Sequence, residues 1–295
     1  MKPQHTLLAI LIAGVWGFNF IATKWAVEDF PPLFANGLRF LIVLIVLFPF
    51  LRIVKGKMRP LLSTAFTLGV IHFGLLFWGM SLADGVGSVA IASQLNVPFS
   101  TILAIVILKE TVGLPRIAGI SISFIGVLFL GFDPIIFAYR DGLLVIVSAA
   151  FMYAVCAVMM RQLRDVPATT MQAWVALAGM SGSFLVSGFI ESSQIDSIST
   201  ASDLAWMSVA YSALISTLIG HGGANYLFQR YEVSMVSPYF LALPFFSVAG
   251  GVFLMGETVG WQMFVGGSLT ILGVLIVTLR NNKRVVRDGK GEVND

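Results

Sequence analysis

Glu110-Thr111-Val112-Gly113 and Glu257-Thr258-Val259-Gly260 are the same four residues 147 positions apart, and each opens a glycine-spaced apolar run. Downstream the register holds: Gly119, Gly126, Val127 and Leu128 fall on Gly266, Gly273, Val274 and Leu275. Upstream, Pro98-Phe99 lies one residue out of register with Pro244-Phe245. At an offset of 136 the first apolar run overlays the sixth and Pro31 overlays Pro167, the difference being a longer loop near 191–204. The chain therefore reads as two copies of one unit.

The unit is apolar throughout. Of 295 residues 57% are hydrophobic and 11% charged, with mean hydropathy +0.90, against roughly 25% charged in soluble chains. Runs of about twenty apolar residues, the length a helix needs to cross hydrocarbon, recur at 6–24, 33–51, 62–80, 87–108, 114–131, 142–160, 168–190, 205–228, 233–255 and 261–279. Continuous runs, instead of alternating ones, disfavour a β-barrel. The expected fold is all-α integral membrane, with ten transmembrane helices in two five-helix repeats, 6–131 and 142–279, and a basic tail at 280–295. Five is odd, so the second repeat enters the membrane in the opposite sense. Inverted repeats of this kind recur in transporters that bind substrate between the halves near the midplane and work by alternating access.

Charge placement orients this arrangement. Lys2, Arg52, Lys55, Lys57, Arg59, Lys109, Arg116, Arg161, Arg164, Arg230 and the five basic residues from Arg280 to Lys290 fall on one side; Lys24 and Arg140 fall on the other. The positive-inside rule then gives N-in, C-in. The pI near 9.1 is thus a topology signal and does not imply a nucleic-acid partner. The apolar start after Lys2 has no convincing small-residue cleavage site and reads as a retained first helix. The single cysteine, Cys156, permits no intrachain disulfide or Cys-based metal site and reads as a packing residue. Neither a cofactor motif nor a metal-ligand cluster is found.

Trp16-Gly17-Phe18-Asn19-Phe20 with Lys24, Pro31-Pro32, the Arg39-Phe40 pair and the twice-repeated Glu-x-x-Gly ahead of a glycine-spaced helix resemble the EamA family of the drug/metabolite transporter superfamily, over residues 6–280. The resemblance implies a ten-helix fold with a central cavity between halves, residence in the bacterial inner membrane, and commonly export of amino acids or related metabolites. The amino-terminal stretch is most similar to bacterial exporters of cysteine and O-acetylserine.

Candidate site residues follow from polar groups in the apolar runs. Pro98 and Pro244 remove helix hydrogen bonds at matching places, kinks tolerated in a membrane where freed groups face protein or a cavity. Around Pro98 stand Ser93, Gln94, Asn96 and Ser100, of which Ser93, Asn96 and Ser100 share one face. Trp16, Asn19, Phe20 and Thr23 follow the i, i+3, i+4, i+7 spacing of a single face; Asn19 either lines a cavity or joins helices. His72 and His221, near-equivalent in the repeats, are candidates for lining or for packing. Tyr153, Asn225, Tyr226 and Tyr239 complete the polar set. No carboxylate occupies a midplane position, which argues against coupling through a buried Asp or Glu. Arg39 is expected to snorkel outward in preference to binding an anion, and Lys24 to serve as an interface anchor or an exit-path cation. Glu110 and Glu257 are expected to cap the turns before the fifth and tenth runs, and the paired glycines to allow close helix approach.

An integral-membrane enzyme would need a nucleophile with its base or a metal cluster, and neither pattern is present. A receptor or scaffold would more naturally carry a soluble domain. The expected function is export of a small metabolite, an amino acid or related thiol metabolite first and a drug or other metabolite second. The expected partners are that small molecule and the lipid bilayer. Assembly, including a homodimer, is left open.

Overall fold

The computed structural model describes residues 1–108, 113–228, 230–231, 236 and 239–291, with the side chains at 108, 135, 161, 225, 228 and from 280 onward outside that description. Among the described residues the chain is helical and contains no strand. Eight helices are long and apolar enough to cross a membrane: α1 Pro3–Asp29, α2 Pro32–Phe50, α3 Met58–Leu82, α4 Val86–Ile107, α6 Arg140–Met160, α7 Ala168–Ile190, α8 Asp203–Ala224 and α10 Trp261–Leu279. Two further apolar helices are shorter, α5 Leu114–Leu130 and α9 Leu243–Met255, about 25 and 20 Å long at 1.5 Å per residue. Within the expected run at 233–255, residues 236, 239 and 240 are helical, a turn falls at 241–242 and α9 begins at Leu243, while 233–235 and 237–238 lie outside the described residues.

That turn has a counterpart. Helix α4 breaks at 94–95, one repeat earlier. In each case the hydrogen bonds tighten to three-residue spacing, Gln94 N–H to Ile91, Leu95 N–H to Ala92, and Ala242 N–H to Tyr239. The breaks fall two to four residues ahead of the two prolines. Pro244 occupies the first turn of α9, and Pro98 the first turn of the segment that starts at Asn96, where a missing N–H costs nothing.

Packing follows the duplication. Helix α1 packs on α8 and α9 just as α6 packs on α3 and α4; α2 packs on α7 and α5 on α10. The α5–α10 contact is the tightest reading of the glycine spacing. A Cβ on Gly119 would lie 2.9 Å from the Gly273 carbonyl oxygen, and one on Gly126 would lie 2.5 Å from Thr270 N and 2.6 Å from the Gly266 oxygen. Only hydrogen at these positions lets the backbones touch. Helices α3 and α8 share a second device, a π-helical stretch at Thr67–His72 and at Tyr211–Gly220, each meeting a histidine at its carboxyl end.

Carboxylates tie the repeats together. Glu191 accepts from the N–H groups of Leu33 and Phe34 at the start of α2, at 2.8 and 3.1 Å. Glu257 accepts from Val86 and Gly87 at the start of α4, at 2.6 and 3.3 Å. Glu257 is therefore a cap, but of α4, 171 residues away, and not of the turn before α10; Glu110 lies outside the described residues. Burial pushes the Glu257 carboxyl above its ordinary 4.5, opposed by the two N–H donors and by Lys24 and abetted by Asp84. A carboxylate raised on folding stabilises most below its ordinary value, and that contribution is lost as pH rises through the raised one. The unfolding midpoint of the purified protein is therefore expected to fall as pH rises from 4.5 through the raised value, by an increment that Glu257→Gln removes; an identical pH slope in that variant would contradict it.

Candidate functional site

Helix α2 carries a charge that is enclosed by the bundle and forms no ion pair among the described residues. Arg39 is 2% exposed, walled by aromatic rings, its guanidinium carbon 4.2 Å from the Phe73 centroid and 5.3 and 5.9 Å from those of Phe40 and Phe77. Those rings close the outward path, so Arg39 does not snorkel as its place in the sequence suggests. An arginine at a helix centre costs about 2.5–3.5 kcal/mol on insertion scales, and more for an isolated helix. The Phe73 contact returns about 2 kcal/mol. Nη2 donates to Thr217 Oγ1 at 2.9 Å, returning a similar amount. Nε and Nη1 nonetheless have no hydrogen-bond partner, at about 1–3 kcal/mol each. Folding alone gives no reason to keep this residue.

The π-helical stretch of α8 supplies the partner. Thr217 Oγ1 donates to the Ser212 carbonyl, 2.8 Å away and five residues back, while Ser212 Oγ donates to Asn19 Oδ1 at 2.7 Å. Asn19 therefore acts as a bridge from α1 to α8, the second of its two readings, and belongs to the network that ends on Arg39. Trp16 Nε1 donates to the Ser216 carbonyl at 3.2 Å, and its ring lies 5.2 Å from that of His221 and 4.9 Å from Phe240. Gly220 makes room for it, since a Cβ there would sit 2.6 Å from Nε1.

On the other side of Arg39, His72 Nδ1 lies 2.8 Å from the Ala149 carbonyl oxygen. A carbonyl only accepts, so Nδ1 carries the proton and Nε2 of the neutral ring is an acceptor. The Tyr153 ring lies 5.1 Å from that of His72, tilted by 58°, and is 36% exposed. Both imidazoles lie within electrostatic reach of Arg39. The structure thus joins Asn19 to the network of Arg39 and brings His72 and His221 near it, with Tyr153 and Trp16 against those imidazoles; the sequence reading had Arg39 snorkelling outward instead.

Other candidates lie elsewhere. Phe20 packs in the cluster built on Ile21, Leu76 and Leu95. Ser93, Asn96 and Ser100 bond to their own helix, Asn96 Nδ2 to the Ser93 carbonyl and Ser100 Oγ to that of Asn96. Gln94 is buried at the α4 break. Tyr239 packs with Trp16, Ala9 and Ile12. The side chain of Asn225 lies outside the described residues. Two clefts lie away from Arg39: a polar one of about 80 Å³ at a bundle end, bordered by Asp84, Asp133 and Glu257, and an apolar one of about 490 Å³ between α9 and α10.

Comparison with known proteins matches the EamA-like transporter family at residues 5–132 and again at 140–279. The chain is 27% identical over 284 residues to a probable amino-acid metabolite efflux pump of Escherichia coli K12, covering 94% of this chain and 95% of that one. It is 25% identical to the uncharacterized inner membrane transporter YedA of the same organism, over 90% and 87% of the two chains. A solved crystal structure 18% identical superposes with a TM-score of 0.65 over 95% of this chain and 98% of that one, a likeness of fold.

Proposed function

The chain belongs to the EamA-like transporter family, and from that premise we propose that it exports a small metabolite, an amino acid or related thiol metabolite, across the bacterial inner membrane. The observation that carries this reading is the hydrogen bond from Arg39 of the first repeat to Thr217 of the second, a buried polar junction at the seam where inverted-repeat transporters bind cargo. Ten spans, N-in and C-in, place both repeats across the bilayer, with α5 and α9 crossing as short helices. The name of the efflux-pump relative supports amino-acid metabolites as cargo. Export proceeds by rocking one repeat against the other, so that the Arg39 region opens alternately to each side.

Reconstitution in liposomes and uptake of labelled cysteine, O-acetylserine and other amino acids, with and without a pH gradient, tests the reading. Saturable uptake of one class is expected. No uptake of any of them above empty liposomes would overturn the amino-acid assignment.

A further inference from the structure

Resting on the transporter reading and deepening it, we propose that Arg39 is the receptor for a carboxylate on the transported molecule, and that no charged side chain of the site reads an ammonium group. The guanidinium is 2% exposed and its Nε and Nη1 are without partners. A guanidinium holds five N–H donors in a rigid planar fork. Nη2 belongs to both edges of that fork, and Thr217 takes one of its two hydrogens. If Thr217 takes the hydrogen beside Nη1, Nε–H and the second Nη2–H remain as a parallel pair. If it takes the one beside Nε, the remaining pair is on Nη1 and Nη2. Either way one complete two-donor edge is without a partner, and a carboxylate admitted to it forms two parallel hydrogen bonds. Phe73 lies 4.2 Å from the guanidinium carbon, which confines a ligand to the edge.

The surroundings set what the rest of the ligand meets. Every described Asp and Glu lies within a turn of a helix end or in a connection, and among the described residues none forms an ion pair with Arg39. The groups near Arg39 are the imidazoles of His72 and His221, with the rings of Tyr153 and Trp16 beside them, and none of these is an anion that would pair with an ammonium. The carboxylate is therefore indispensable and the ammonium is not.

The test uses the purified full chain in detergent and its unfolding midpoint, with sodium N-acetylglycine compared with N-acetylglycinamide and sodium chloride at equal ionic strength. A ligand bound only by the folded state raises the midpoint with concentration. The carboxylate is expected to raise it while the amide and chloride do not; Arg39→Gln is expected to lose the rise, and Arg39→Lys, which keeps charge without the fork, to weaken apparent binding by about tenfold or more. An equal rise with the amide or chloride, or a rise that survives in Arg39→Gln, would overturn the proposal. A purely structural Arg39 would shift the unliganded midpoint and leave the ligand increment intact. Should Arg39→Gln not fold, Arg39→Lys carries the comparison. Uptake of carboxylate and amide alike by wild-type liposomes would sink this inference and leave the transport reading standing; a carboxylate rise without any uptake would do the reverse.

Discussion

Gly126→Val is expected to prevent accumulation of folded protein. The added Cβ alone would meet Thr270 N at 2.5 Å and the Gly266 carbonyl at 2.6 Å. Both are backbone atoms of α10, which cannot turn aside as a side chain would. Overpacking a core costs about 1–3 kcal/mol where neighbours can shift; here the helices must separate along their contact, and a loss above that range is expected. Gly273→Val should behave alike, because its Cβ would strike the Gly119 carbonyl at 2.6 Å. Gly188→Val in α7, where nothing lies within 4 Å of a Cβ, is the control. Monodisperse yield in size-exclusion chromatography reads the result, and normal yield of Gly126→Val would show that α5 and α10 do not pack this closely.

Thr217→Val carries the second large effect. It removes the one hydrogen-bond acceptor of Arg39 and leaves the cation wholly unpaired in the bundle, a change expected to cost about 2–3 kcal/mol. In an Arg39→Met background the same substitution should cost far less, since no charge remains to be orphaned. Unfolding midpoints of the two single variants and the double variant form a cycle that isolates the coupling. Additive losses would show that Thr217 matters through its own α8 bond to Ser212 and not through Arg39.

The duplication was legible in the sequence because Glu-Thr-Val-Gly occurs twice ahead of the same glycine spacing, and helix pairing on those glycines follows from small residues at seven-residue intervals. That Trp16, Asn19, His72, Tyr153 and His221 would find partners inside the bundle was legible because polar groups in hydrocarbon need them. What the sequence hid depends on distant pairing. The burial of Arg39 comes from Phe73 and Phe77 on α3 and from Thr217, 178 residues away, none of which marks Arg39 from its own neighbours. The target of Glu257 is likewise 171 residues distant. The π-helical stretches at Thr67–His72 and Tyr211–Gly220 shift hydrogen bonds by one residue without changing composition, so hydropathy is blind to them. Pro98 and Pro244 were read as kinks from their matching places in the repeats, and the turns fall just ahead of them at 94–95 and 241–242, positions that contain no glycine to mark where the helix breaks.

Rocking of the repeats is the central claim, and spin-label distances at the two ends of the bundle test it most directly. With Cys156 replaced by alanine, one label pair at Lys55 and Gln162 reports the end where Lys57 Nζ bonds the Gln162 carbonyl at 2.9 Å. A second pair at Asp84 and Thr258 reports the end where both residues border one cleft. Pulsed electron resonance in lipid should give two distances for each pair, with the population that lengthens one pair shortening the other when N-acetylglycinate is added. A single unchanging distance at both ends would contradict alternating access between these repeats.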